Sequence, residues 1–129
     1  MRILLDTHVW LLTLAEPGRL SEATLAVLSD RGNALYLSAA SAWEIAIKHQ
    51  LGKLPLPCPP GEFVPQRLER DGVNTLPVEL GHALYVARLP PLHRDPFDRL
   101  LVAQAQLEGM CLYTADDQVL AYEGDIRRA

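Results

Sequence analysis

ALYLSAASAWEIAIKHQLG, residues 34–52, decides the fold. Ala34 to Leu37 is an apolar run of strand length that ends at Ser38. From Ala40 the apolar positions switch to helical spacing as far as Leu51, and Gly52 follows where a C-terminal cap belongs. A buried strand that passes straight into a helix is half of a βαβ unit, because parallel neighbours need a crossover and the crossover is usually helical.

Other segments repeat the pattern. Ile3 to Leu5 is a short apolar run ending at Asp6, with a helix expected over Val9 to Leu14. Further extended stretches cover Val73 to Val78 and Met110 to Thr114, the latter ending in the turn Ala115, Asp116, Asp117. Helices are expected over Ser21 to Arg31, Glu62 to Arg70, Glu79 to Leu89 and Pro96 to Glu108, with Gly32, Gly72 and Gly109 as caps. Pro96 suits a first helical turn, whereas Pro65 inside the fourth helix weakens it. LPLPCPP, Leu54 to Pro60, reads as a rigid connector within the domain. The expected architecture is a single α/β domain over residues 1–129, three-layered α/β/α, with a short parallel sheet flanked by helices.

At 49% hydrophobic the chain fills one core. It has no apolar run near the ~20 residues of a membrane span, and its start resembles no signal peptide. Cys58 and Cys111 form no CxxC, which argues against a zinc framework or a disulfide scaffold. The reading is cytosolic. A net charge of -4 is unusual for a nucleic-acid binder. Two divalent ions held by four of the acids would cancel it, so charge excludes little.

In open α/β sheets the ligand site lies outside the carboxyl ends of the strands. Asp6 follows the first strand, Glu44 lies in the first turns of the helix after the second, Asp98 is in the first turn after Pro96, and Asp116 follows the last strand. All four should meet at one edge. Carboxylates a few ångström apart repel unless a cation intervenes, and an all-oxygen set suits Mg²⁺ or Mn²⁺ in phosphodiester hydrolysis.

Each acid also has a plainer role. Asp6 suits a turn, and Glu44 suits a capping box with Ser41 or a pair with Lys48. At 100° per residue Glu44 shares the apolar stripe of Ala40, Ile47 and Leu51, so it should face protein. Asp95, before Pro96, reads as the N-cap. Asp98, sharing a face with Leu101, Val102 and Ala105, reads as the partly buried acid. Asp116 is preferred over Asp117 by a small margin, since either serves as a solvated cap. His8, His49, His82 and His93 show no HxxxH spacing. His93, with Arg94 and Arg99, lies beside the acidic edge, where cations would grip substrate phosphate; a solvated loop is an equal alternative for His93.

LLDTHVWLL (residues 4–12), LSAASAWEIAIKHQLGKL (37–54), HRDPFDRLLVAQA (93–105) and LYTADDQVLAY (112–122) together resemble the PIN-domain ribonucleases, and within them the VapC-type toxins of toxin-antitoxin pairs. The resemblance implies metal ligation by Asp6, Glu44, Asp98 and Asp116, with Thr7 and Thr114 as supporting hydroxyls. It also implies transfer or ribosomal RNA as substrate, inhibition of translation, a homodimer, and a VapB-type antitoxin that fills the groove. A haloacid-dehalogenase-like phosphatase needs an acid where His8 stands. A phosphoacceptor receiver domain needs an acid pair after the first strand and a lysine after the last, but the only lysines are Lys48 and Lys53. A non-catalytic PIN module and a non-toxin RNA-processing nuclease are the remaining alternatives.

Overall fold

The structure, a computed structural model, describes residues 1–129. Five parallel strands, β1 (Arg2–Leu5), β2 (Ala34–Ser38), β3 (Asn74–Leu76), β4 (Cys111–Thr114) and β5 (Ile126–Arg128), form one sheet in the order β3-β2-β1-β4-β5. The helices are α1 (Thr7–Ala15), α2 (Glu22–Ser29), α3 (Ala39–Gln50), α4 (Pro60–Asp71), α5 (Leu80–Tyr85), α6 (Pro96–Glu108) and α7 (Asp117–Leu120). No helix is long and apolar enough to cross a membrane.

Period-two alternation along the strands builds a core on each face. Ile3, Leu5, Cys111 and Tyr113 pack on one side with Val9 and Trp10 of α1, Ile45 of α3, and Phe63 and Val64 of α4. Leu4 and Leu112 point the other way, onto Leu101, Val102 and Ala105 of α6 and Val119 of α7. Burying each such aliphatic side chain contributes about 1.5–3 kcal/mol. The central strands are therefore fixed in register, and their carboxyl ends are fixed with them.

The structure departs from the sequence pattern in four places. β5 has no counterpart in that pattern: Ile126–Arg128 is a three-residue edge strand with two arginines, and its pairing with β4 defines it. The helix expected over Glu79 to Leu89 stops at Tyr85 and continues only as a 3-10 turn, Val86–Arg88. β3 is three residues rather than six. α4 runs through Pro65 unbroken; Phe63 meets Trp10 edge-on with ring centroids 6.4 Å apart, so tertiary packing outweighs the hydrogen bond the proline lacks.

Candidate metal centre

From β1 the chain winds outward through β2 to β3, and it returns to the other side of β1 for β4 and β5. The reversal leaves a crevice beyond the carboxyl ends of β1 and β4. Asp6, Glu44, Asp98 and Asp116 all line that crevice, a cleft of about 810 Å³.

Asp6 is the N-cap of α1, and this starts the helix at Thr7, two residues earlier than expected. Its Oδ1 accepts the Val9 amide at 2.7 Å, and its Oδ2 accepts the Thr114 hydroxyl at 2.5 Å. Both bonds lock one rotamer across the β1/β4 seam. Glu44 is buried in α3, whose N-cap is Ser38 rather than any residue of a Ser41 box. Its Oε2 accepts from Lys48 Nζ at 2.7 Å, so the expected pairing forms. Its Oε1 is buried with no hydrogen-bond partner, as is Thr7 Oγ1.

Asp95 caps α6 by accepting the Phe97 and Asp98 amides at 2.8 and 3.3 Å. Asp98 is thereby released from capping and turned inward. Asp116 caps α7 through Oδ1 on the Gln118 amide at 2.8 Å, leaving Oδ2 for the cleft. Asp117 is 81% exposed and pairs with Arg128.

The electrostatics follow from burial. Desolvation raises the Asp6 pKa above the usual carboxylate range, against the lowering effect of the Thr114 and Val9 hydrogen bonds. Asp98 is pushed up to about 7, first by burial and then by the negative charges of Asp95, Asp6 and Glu44, with His93 opposing. The edge thus carries more negative charge than its surroundings stabilise. An orphaned carboxylate oxygen among oxygen donors is the environment a hard divalent cation fits.

His93 sits inside this cluster: Nε2 lies 2.9 Å from Asp98 Oδ2 and 3.0 Å from Asp116 Oδ2, and one nitrogen and two carboxylate oxygens lie close enough to share one ion. Its ring is therefore directed at the acids rather than outward at a phosphate. Arg99 departs further from expectation. Its guanidinium donates to the carbonyls of Pro90 and Val86 and to the Tyr122 hydroxyl, at 3.0–3.1 Å. With both terminal nitrogens so engaged, the fork fastens the loop before α6 rather than facing substrate. Arg99→Ala should cost about 1–3 kcal/mol in a denaturant melt, the cost of stranding those acceptors. Arg99→Lys should recover little, because an ammonium cannot span the carbonyls. Arg94 alone of the three is exposed and makes no ion pair.

The cations that line the cleft are not those the sequence suggests. They are Arg19, Lys48 and Lys53, from the turn after α1 and from the end of α3. Lys48, four residues after Glu44, is visible in the sequence as a partner; nothing in the local pattern marks Arg19.

A model of the PIN domain family matches residues 3–124. Over 62 residues the chain is 48% identical to Ribonuclease VapC16 of Mycobacterium tuberculosis; the match spans 48% of this chain and 44% of that protein, less than half the relative's length. Similar solved structures include VapBC2 from Rickettsia felis bound to a DNA fragment from its promoter (TM-score 0.75, 15% identity, 99% of this chain and 98% of that one). DNA-bound VapBC from Salmonella typhimurium gives a TM-score of 0.72 at 14% identity, with the same coverage. FitAB bound to a DNA fragment gives 0.60 at 22%, over 98% and 94%. At these identities the structural likeness speaks for the fold.

Proposed function

The chain belongs to the PIN domain family, and from that premise we propose that it is a Mg²⁺- or Mn²⁺-dependent endoribonuclease, the toxin of a type II toxin-antitoxin pair. The observation that carries the reading is the buried, unpartnered Oε1 of Glu44 in the same cleft as Asp6, Asp98 and Asp116. A buried carboxylate oxygen without a partner is costly, and a ligand that takes it up recovers the loss.

Asp6, Glu44, Asp98 and Asp116 would hold the metal, with His93 braced between the last two. A bound divalent cation supplies charge neutralisation at the scissile phosphate and lowers the pKa of attacking water. Thr114 keeps Asp6 in one orientation, and Thr7 Oγ1 is a spare hydroxyl beside it. The raised proton affinity of Asp98 suits it to hold a proton near neutral pH until metal displaces it. Transfer or ribosomal RNA as substrate, inhibition of translation in the cytoplasm, a homodimer and a VapB-type antitoxin complete the proposal. The relative's name, Ribonuclease VapC16, supports an RNA substrate, and the toxin-antitoxin complexes among the structural neighbours support the antitoxin partner.

Mg²⁺ or Mn²⁺ should raise the melting temperature progressively with its concentration, a stabilisation of about 2.7 kcal/mol at a hundredfold excess over Kd, and EDTA should reverse it. A flat response at millimolar metal argues against the centre. Cleavage of transfer or ribosomal RNA with metal, and none with EDTA, tests the activity itself. Metal binding without cleavage would leave an RNA- or protein-binding module.

A further inference from the structure

A polyanion must approach a cleft whose floor is acidic. The loop before α6 offers little help: His93 is held by Asp98 and Asp116, Arg99 is engaged by carbonyls and Tyr122, and Arg94, though exposed, does not line the cleft. The turn after α1 and the end of α3 differ. Arg19 ends the 3-10 turn Pro17–Arg19, Lys48 lies in the last turn of α3, and Lys53 follows just beyond it, all three lining the cleft. Lys53 is exposed and makes no ion pair. Arg19 meets Glu16 at 3.6 Å with both side chains about 60% exposed, an interaction of little strength that a phosphate would outcompete.

Lys48 is the unusual member. Its ammonium rests on Oε2 of Glu44 while its own side chain is half exposed. It therefore supplies, at the buried carboxylate, the positive charge that a bound metal would supply. A metal that takes up Oε1 would put a second positive charge on the same carboxylate, close to the ammonium on Oε2, and the two repel; four methylenes let Lys48 swing outward at small cost.

We infer that Arg19, Lys48 and Lys53 form the track that grips the RNA backbone, and that metal binding at Glu44 releases Lys48 to join it. The inference rests on the ribonuclease reading and adds to it the side from which the strand enters.

The test is the salt dependence of binding for a short fluorescent single-stranded RNA, followed by anisotropy in EDTA and again with Ca²⁺, with a gel to verify that the strand stays intact. Each phosphate that is no longer neutralised should lower the slope of log K against log salt by about 0.7. Arg19→Ala and Lys53→Ala should show that decrease in both conditions, and Arg31→Ala, in the turn before the amino end of β2, in neither. Lys48→Met should match wild type in EDTA and fall short by one phosphate only with Ca²⁺. In thermal melts the same variant should gain more from Mn²⁺ than wild type does, because Glu44 starts without its lysine.

If Lys48→Met changes the slope equally in both conditions, or gains no more than wild type from Mn²⁺, release is wrong. If Arg19→Ala and Lys53→Ala leave the slope intact, the track is wrong, even should wild type cleave RNA. Wild type that binds with the expected slopes yet never cleaves would instead sink the ribonuclease reading and leave the track standing.

Discussion

Asp98→Asn is expected to abolish the proposed metal-dependent RNA cleavage, whereas Asp95→Asn, three residues earlier, should keep most of it. Both acids start α6, and by sequence distance alone they are interchangeable. Geometry separates them: Asp95 Oδ1 is committed to the amides of Phe97 and Asp98, while Asp98 turns into the cleft and meets His93 at 2.9 Å. Asparagine caps a helix about as well as aspartate, so the first substitution preserves the helix start. At the second position an amide has the shape but lacks the charge. Losing one directed charge from a preorganised centre costs about 10²-fold or more in rate. Initial rates on a labelled RNA, with circular dichroism to confirm both folds, check the pair. Equal losses would show that Asp95 contributes through its field on Asp98, which is the largest charge effect there after burial.

How far the sequence discloses this arrangement depends on what fixes each part. β1 and β4 are legible because they are buried on both faces and read as unbroken apolar runs, and β2, half-buried, carries the same apolar run. The Asp95/Asp98 division is legible because Pro96 marks the first helical position, and a cap must precede it. β5 is illegible for the opposite reason: Ile126–Arg128 has one partly buried residue and two exposed arginines, and only pairing with β4 makes it a strand. Arg99 is misleading in sequence, since an arginine beside aspartates suggests a phosphate grip, yet the carbonyls it binds come from a loop whose path is set by long-range packing. Arg19 enters the cleft only because the turn after α1 folds back, which no periodicity records. The acids are legible from strand ends, while the cations facing them depend on tertiary placement.

In metal-free protein at pH 8, Asp98→Asn should be more stable than wild type, on the order of 2 kcal/mol in a denaturant melt. The sign follows from the proton affinities. The folded-state pKa of Asp98, about 7, lies above the ordinary carboxylate value of 3.8, so the native state holds its proton over a range in which the unfolded chain has released it. Below about pH 4 both states are protonated and the group costs nothing. As pH rises toward 7 the unfolded state gains from ionising while the folded state does not, and wild-type stability declines across that window. The variant carries no such ionisation at this position and should be flatter there, so the two curves should converge at acid pH and separate at neutral pH. A helix-dipole role alone predicts the reverse order, with the variant weaker by roughly 0.3–1 kcal/mol and indifferent to metal. Saturating Mn²⁺ supplies the second comparison: metal-bound wild type should overtake the variant, because the charge that destabilises the empty site is the charge that attracts the ion. A variant less stable in EDTA and equally responsive to Mn²⁺ would remove Asp98 from the centre.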